Sequence, residues 1–135
     1  MNGKIKDFTD LDTWKESHKL VLMIYDVTRK FPKEEQFGLV SQMRRSVVSV
    51  TSNIAEGFGR QGMKEKIQFY YMSQGSLTEL KNQIFIVRDT GLVNSSTIDR
   101  IIEQLETAHR LLQGLIRKSK EIGDFSRIQN LKSRI

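Results

Sequence analysis

The segment 40–60 places the strongest constraint on the fold, because its apolar residues recur at alternating steps of three and four. These residues are Val40, Met43, Val47, Val50 and Ile54. The spacing gathers them on one side of an α-helix that packs along a left-handed seam. A second line of this helix carries small or polar groups, namely Gln42, Arg45, Ser49, Ser52 or Asn53, and Glu56. The segment therefore predicts a core helix whose polar face meets another helix or another subunit.

Three further segments show the same helical spacing. Their expected core stripes are Trp14, Ser17 or His18, Val21, Ile24 or Tyr25, and Thr28; then Tyr70, Ser73, Leu77, Leu80, Ile84 and Val87; then Ile98, Ile101, Leu105, Ala108, Leu112, Leu115 and Ser119. The four expected helices cover about 9–31, 34–57, 63–90 and 96–122. Short connections between them predict an all-α protein, an antiparallel up-down-up-down four-helix bundle. The bundle would occupy residues 1–122, and the basic segment 123–135 is expected to be a flexible tail.

Helix ends are predicted from local chemistry. Thr9 with Asp12, and Ser96 with Asp99, have the spacing of capping boxes at the starts of the first and fourth helices. Gly91 is suited to the left-handed conformation that closes a helix at its carboxyl end.

Composition excludes several classes of protein. The 135-residue chain has no cysteine, which rules out disulfides, thiol catalysis and zinc–thiolate sites. No apolar run approaches the roughly 20 residues of a membrane span. We therefore expect a cytoplasmic protein without a membrane partner.

The net charge of +6 is concentrated in two places. Residues 36–66 carry five cations against two acids, and residues 108–135 carry seven against two. Such clusters favour an acidic partner, and nucleic acid is the partner we expect. The candidate phosphate contacts are Arg44, Arg60, Lys64, Lys66, Arg110, Arg117, Lys118 and Lys120.

Four residues are assigned instead to a structural or interface network, namely Arg45, Asn53, Glu56 and Glu79. Arg44 and Arg45 lie about 100° apart on a helix, so they cannot both face the core. Arg45 shares the polar line and is expected to join the network, which leaves Arg44 the freer of the two. Glu56 and Arg60 form a favourable i,i+4 pair.

The string Gly57-Phe-Gly-Arg-Gln-Gly62 matches the G-x-G-x-x-G pattern of dinucleotide-binding sites. That fingerprint requires a preceding strand, whereas here a helix precedes it. The favoured interpretation is a helix stop and a tight turn that uses glycine at positive φ. A third possibility is a phosphate held by free N–H groups at the start of the third helix, beside Arg60, Lys64 and Lys66.

Glu106 and His109 form a Glu-x-x-His pair, a motif that four-helix bundles use in di-iron sites. A second such pair is missing, because the first helix has Glu16 and His18 at the wrong spacing. No nucleophile or histidine pattern supports catalysis either. We therefore expect no metal, no cofactor and no enzymatic activity. The aromatic residues Phe69, Tyr70 and Tyr71 could stack on bases, although the spacing assigns Tyr70 to the core.

Several motifs resemble those of the 23S rRNA intervening-sequence proteins. They are Leu11-x-x-Trp14, Ile24-Tyr25, Phe31-Pro32, Gln42-x-x-Arg45, Ser52-Asn-Ile-Ala-Glu-Gly-x-Gly-Arg60 and Gly75-Ser-Leu-x-Glu-Leu80. The resemblance extends over about residues 8–119, and the string at 52–60 is its most specific part. It implies a bacterial four-helix-bundle protein without known catalytic activity.

The chain also resembles the accessory variability protein of diversity-generating retroelements. That resemblance implies a pentameric basic barrel that binds nucleic acid and assists a reverse transcriptase. Two hypotheses follow for this chain. The first is a non-enzymatic homo-oligomeric scaffold, expected to be a homopentamer, that binds RNA or DNA through phosphates. The second is an oligomer whose basic surface docks an acidic or reverse-transcriptase-like protein.

Overall fold

Four helices account for most of the chain in the computed structural model, which describes residues 4–133. They are α1 (Asp12–Thr28), α2 (Ser41–Gly59), α3 (Met63–Asp89) and α4 (Ser95–Ser133). A 3-10 turn at Phe8–Asp10 precedes α1, and a 3-10 turn at Lys33–Glu35 followed by a π turn at Gln36–Val40 leads into α2. No strand occurs between residues 4 and 133. The all-α four-helix bundle expected from the sequence is confirmed at this level.

One continuous apolar core lies between the helices. Each helix contacts the next one along the chain, and α1 also contacts α4. All six stripe positions predicted for α3 are buried, as are the five predicted for the α2 seam. The other two stripes were right except at single positions. In α1, Thr13 and Leu20 are buried where Trp14 and Val21 were expected. In α4, Ile116 is buried where Leu115 was expected.

Both predicted capping boxes were wrong. The carboxylate of Asp10 accepts hydrogen bonds from the backbone N–H groups of Lys6 and Asp7, each at 3.0 Å, and these two donors lower its pKa. At the start of α4 the Asn94 side chain accepts the N–H of Thr97 at 2.9 Å. Asn94 therefore occupies the capping position that was predicted for Ser96.

Two helix ends also differ from expectation. The α-helical hydrogen bonding of α2 begins at Ser41, after the 3-10 and π turns, and continues to Gly59 rather than Gly57. α4 continues past the expected end near Ile122 to Ser133. The closing glycine was predicted correctly, because Gly91 has φ of +73° and the next N–H, that of Leu92, bonds the Val87 carbonyl at 3.2 Å.

Gly57 does not form a turn. It is buried inside α2, and a Cβ built on it would lie 2.7 Å from Cε1 of Tyr70. The glycine therefore lets α3 approach α2 closely. Gly91 is the one glycine with a positive φ among residues 4–133. The predicted helix stop is correct, because α2 ends at Gly59, but the expected use of positive φ at Gly57 and Gly59 was wrong.

The side of α2 that carries Ser46 and Ser49 faces α3 within the same chain, whereas the other members of the predicted polar line apart from Asn53 are exposed, namely Gln42, Arg45, Ser52 and Glu56. Ser46 Oγ donates to Oε1 of Glu79 at 2.9 Å, Ser49 and Ser76 share a 2.8 Å hydrogen bond, and Ser73 Oγ donates to the Val50 carbonyl at 2.8 Å. Asn53 bonds back to Ser49 at 2.9 Å. These bonds satisfy hydroxyl groups that would otherwise be costly to bury.

Across residues 4–133, no helix is both long enough and apolar enough to span a bilayer.

Candidate nucleic-acid interface

The two adjacent arginines of α2 have the opposite placement to the one predicted. Arg44 lies against α1, where its Nε donates to Thr28 Oγ1 at 3.0 Å and its guanidinium lies 4.5 Å from the ring centroid of Tyr25. Arg45 is exposed and makes no hydrogen bond or ion pair within residues 4–133. Arg44 therefore helps to join α1 to α2, and Arg45 is the arginine that faces solvent.

Arg60 is held by its neighbours. Its Nη2 lies 3.0 Å from the Glu56 carboxylate, as the i,i+4 spacing predicted, and its Nη1 lies 3.8 Å from Glu65. The guanidinium also lies 4.7 Å from the ring centroid of Phe69. Glu79 bonds Ser46 rather than any of the arginines, so the predicted network of Arg45, Asn53, Glu56 and Glu79 is not a single connected cluster.

The side chain of Lys66 caps the carboxyl end of α2. Its ammonium group donates to the Phe58 carbonyl at 2.5 Å and to the Gly57 carbonyl at 3.4 Å, and it lies 5.3 Å from the Phe58 ring centroid. Burial lowers the pKa of Lys66. The helix end thus has the cation that its carbonyl dipoles favour, and Lys64 is the more open of the two lysines at the start of α3.

Two depressions between α3 and α4 are lined by four cations, namely Lys64, Arg117, Lys120 and Arg127. The first, which we name the tyrosine groove, has Tyr71 and Gln74 on its α3 side and Gln113, Arg117 and Lys120 on its α4 side. Ile116 also lines it. Lys120 reaches across, with Nζ 5.0 Å from the ring centroid of Tyr71.

The second depression, the methionine groove, lies where α3 begins. Met63, Lys64 and Ile67 line one side, and Lys120 and Arg127 line the other. Gly123 of α4 lies close to α3 here, since a Cβ built on it would be 3.3 Å from Cβ of Met63. Lys120 and Asp124 line both grooves, so the two depressions adjoin along α4.

Four cations line the joined grooves, namely Lys64, Arg117, Lys120 and Arg127, against the two acids Glu121 and Asp124. Asp124 Oδ1 lies 3.9 Å from the Arg127 guanidinium, a distance typical of a weak, solvent-exposed pair. Of the predicted phosphate contacts, the structure brings Lys64, Arg117 and Lys120 together. Arg110 and Lys118 are exposed on α4 but line neither groove, and Arg134 lies outside the described residues.

Sequence reasoning missed several groove residues. Gln74 and Gln113 carry no charge, and Arg127 belonged to a segment expected to be a flexible tail. Of the three consecutive aromatic residues, Tyr70 is only 2% exposed and burial raises its pKa, whereas Tyr71 is 45% exposed. Helical spacing alone predicted the burial of Tyr70. The position of Tyr71 beside α4 depends on how α3 and α4 pack.

Glu106 and His18 have structural neighbours. The Glu106 carboxylate lies 2.9 Å from the Lys81 ammonium, which lowers the pKa of Glu106. His18 stacks on Trp14 with ring centroids 4.6 Å apart. Among residues 4–133, no three histidine or acidic side chains are grouped as metal ligands would be.

Comparison with known proteins identifies a family and a solved structure that resemble the chain. The model of the family described as 23S rRNA-intervening sequence protein matches residues 9–114. A crystal structure of a protein of unknown function from the S23 ribosomal protein family of Bacteroides thetaiotaomicron has a TM-score of 0.72 and 18% identity, covering 78% of this chain and 95% of that chain. At this identity the structural likeness concerns the fold alone. No curated protein matches the chain.

Proposed function

Because the chain belongs to the 23S rRNA-intervening sequence protein family, we propose that it is a non-enzymatic, basic, cytoplasmic scaffold that binds nucleic acid mainly through phosphates. The observation that carries the proposal is the pair of adjoining grooves lined by Lys64, Arg117, Lys120 and Arg127. A concave surface with an excess of cations attracts a phosphate backbone and releases counterions from it. The bundle beneath it holds the first three of these cations on packed helices.

The proposal includes an oligomer, because α2 has a second seam on its outer side. Its members follow steps of three and four, and all but the half-buried Ala55 are exposed: Ser41, Arg45, Val48, Ser52, Ala55 and Gly59. Mostly small side chains at this spacing allow another helix to come close. Five copies in a ring is the number implied by the resemblance to the accessory variability protein. The proposal also includes the up-down-up-down helix order, which is supported by the cyclic helix contacts and the short connections.

We expect light scattering to give a mass of about five times the 15.7 kDa of one chain. Replacing Val48, which is 39% exposed, with aspartate should shift the mass to that of a monomer, since an interface would bury an unpaired charge. Ile86→Asp, at a position of α3 that is 43% exposed, is the matched control and should keep the oligomer. A monomer mass for the unaltered chain at micromolar concentration would remove this part of the proposal.

The binding claim is tested by removing two groove cations. Arg117→Gln with Lys120→Gln should flatten the log–log salt dependence of single-strand affinity by about 1.4, because each phosphate contact contributes about 0.7. Extrapolated from 1 M salt to about 0.1 M, a slope that is smaller by about 1.4 corresponds to about 25-fold weaker binding by the variant. Fluorescence anisotropy of a labelled mixed-sequence RNA over a salt series measures both quantities.

Lys118→Gln with Lys132→Gln is the matched control. It removes the same charge from the same helix, but neither lysine lines a groove. Equal effects of the two double variants would mean that general charge, not the grooves, governs binding. Salt-independent or absent binding by the unaltered chain would favour the docking of an acidic protein instead.

A further inference from the structure

We propose that the tyrosine groove stacks an unpaired base on Tyr71, so that the protein prefers single-stranded nucleic acid to a duplex of the same sequence. The inference rests on the proposed function and specifies its ligand. Tyr71 is 45% exposed in the middle of α3, whereas Tyr70 beside it is 2% exposed. An exposed ring in a cation-lined depression has the form of a stacking platform, which accepts any base because every base has a π face.

The groups around Tyr71 suit a single strand. Lys120 and Arg117 both line the α4 side of the groove, where they can contact the phosphates next to a stacked base. Gln74 and Gln113 lie on opposite sides of the same groove, and each amide both donates and accepts hydrogen bonds. Amides can therefore pair with base edges that are free in a single strand. In a duplex those faces and edges are stacked and paired, so only the phosphate contacts remain.

The contact between Lys120 and Tyr71 differs from the other cation–aromatic contacts of the molecule. Arg60 lies over Phe69 but is held by Glu56, and Lys66 lies near Phe58 but is held by backbone carbonyls. Within residues 4–133, Lys120 makes neither a hydrogen bond nor an ion pair. Its ammonium group can move from the ring to a phosphate while a base takes its place over Tyr71.

The test compares one labelled mixed-sequence RNA strand with the duplex that it forms with its complement, using fluorescence anisotropy at fixed salt. The unaltered protein should bind the single strand more tightly. Tyr71→Ala should weaken single-strand binding by about 5-fold or more, the usual effect of removing one stacking contact, and leave duplex affinity unchanged. Tyr71→Phe keeps the ring and should keep single-strand affinity.

Phe37→Ala is the matched control, because Phe37 is 98% exposed but lies on the π turn between α1 and α2. It should leave both affinities unchanged. If Tyr71→Ala has no effect on the single strand, or weakens strand and duplex equally, the stacking inference fails while phosphate binding stands. If the unaltered protein shows no salt-dependent binding to either RNA, the proposed function fails and the inference fails with it.

Discussion

Replacing Leu80 with alanine should lower the free energy of unfolding by about 2–5 kcal/mol, a large part of the stability of a domain of this size. Leu80 is 0% exposed and belongs to the core shared by all four helices. The substitution removes buried methyl groups and leaves a cavity that the neighbouring helices can close only in part. Urea unfolding followed by circular dichroism measures the change.

Leu22→Ala is the matched control for this substitution. It makes the same chemical change on α1 at a side chain that is 57% exposed, so its effect should stay within about 0.5 kcal/mol. Equal losses of stability in the two variants would show that Leu80 is not a core residue.

Gly57→Ala should destabilise the protein by about 1–3 kcal/mol. The added Cβ would lie 2.7 Å from Cε1 of Tyr70 and 3.0 Å from Cβ of Phe69, so α3 must shift away from α2. The same shift would disturb the carbonyl groups of Gly57 and Phe58 that accept hydrogen bonds from Lys66. The midpoint of urea unfolding should therefore fall, and helix content at low urea should be kept.

Gly75→Ala makes the same substitution within α3, where nothing lies within 4 Å of the new Cβ. Alanine favours a helix over glycine by up to about 1 kcal/mol, so this variant should be neutral or slightly more stable. A loss of stability in Gly75→Ala as large as that in Gly57→Ala would show that packing against Tyr70 is not the reason for glycine at position 57.

Every position of the predicted α3 stripe is buried, because the steps of three and four from Tyr70 to Val87 stay in register along the helix; Gln83, which is also buried, was not predicted. In α1, Leu20 and Val21 are both apolar and adjacent, and the choice between them depends on the direction from which α2 and α4 approach. The same limit applies at Leu115 and Ile116 in α4. The spacing of apolar residues shows how wide the apolar face of a helix is, but which residue lies at its centre depends on how the neighbouring helices pack.

Side-chain partners that are distant in the chain were the least predictable. The spacing of Arg44 and Arg45 shows that they diverge, but only the position of α1 shows that Thr28 and Tyr25 lie beside Arg44. The candidate site also depends on distant partners. Lys64, Arg117 and Lys120 were predicted from local charge, but their position around the joined grooves with Tyr71 results from the contact between α3 and α4.

The last part of α4 packs less closely against the bundle than the rest of that helix does. Gly123 still lies against Met63, whereas the side chains at 124, 125 and 127–133 are exposed. Few tertiary contacts hold this segment, so its amide hydrogens should exchange through local opening that costs far less than global unfolding. Arg127 and Asn130 of this segment line the methionine groove. Occupation of that groove would therefore be coupled to local helix formation, and the observed affinity would be the intrinsic affinity multiplied by the fraction of molecules in which this segment is folded.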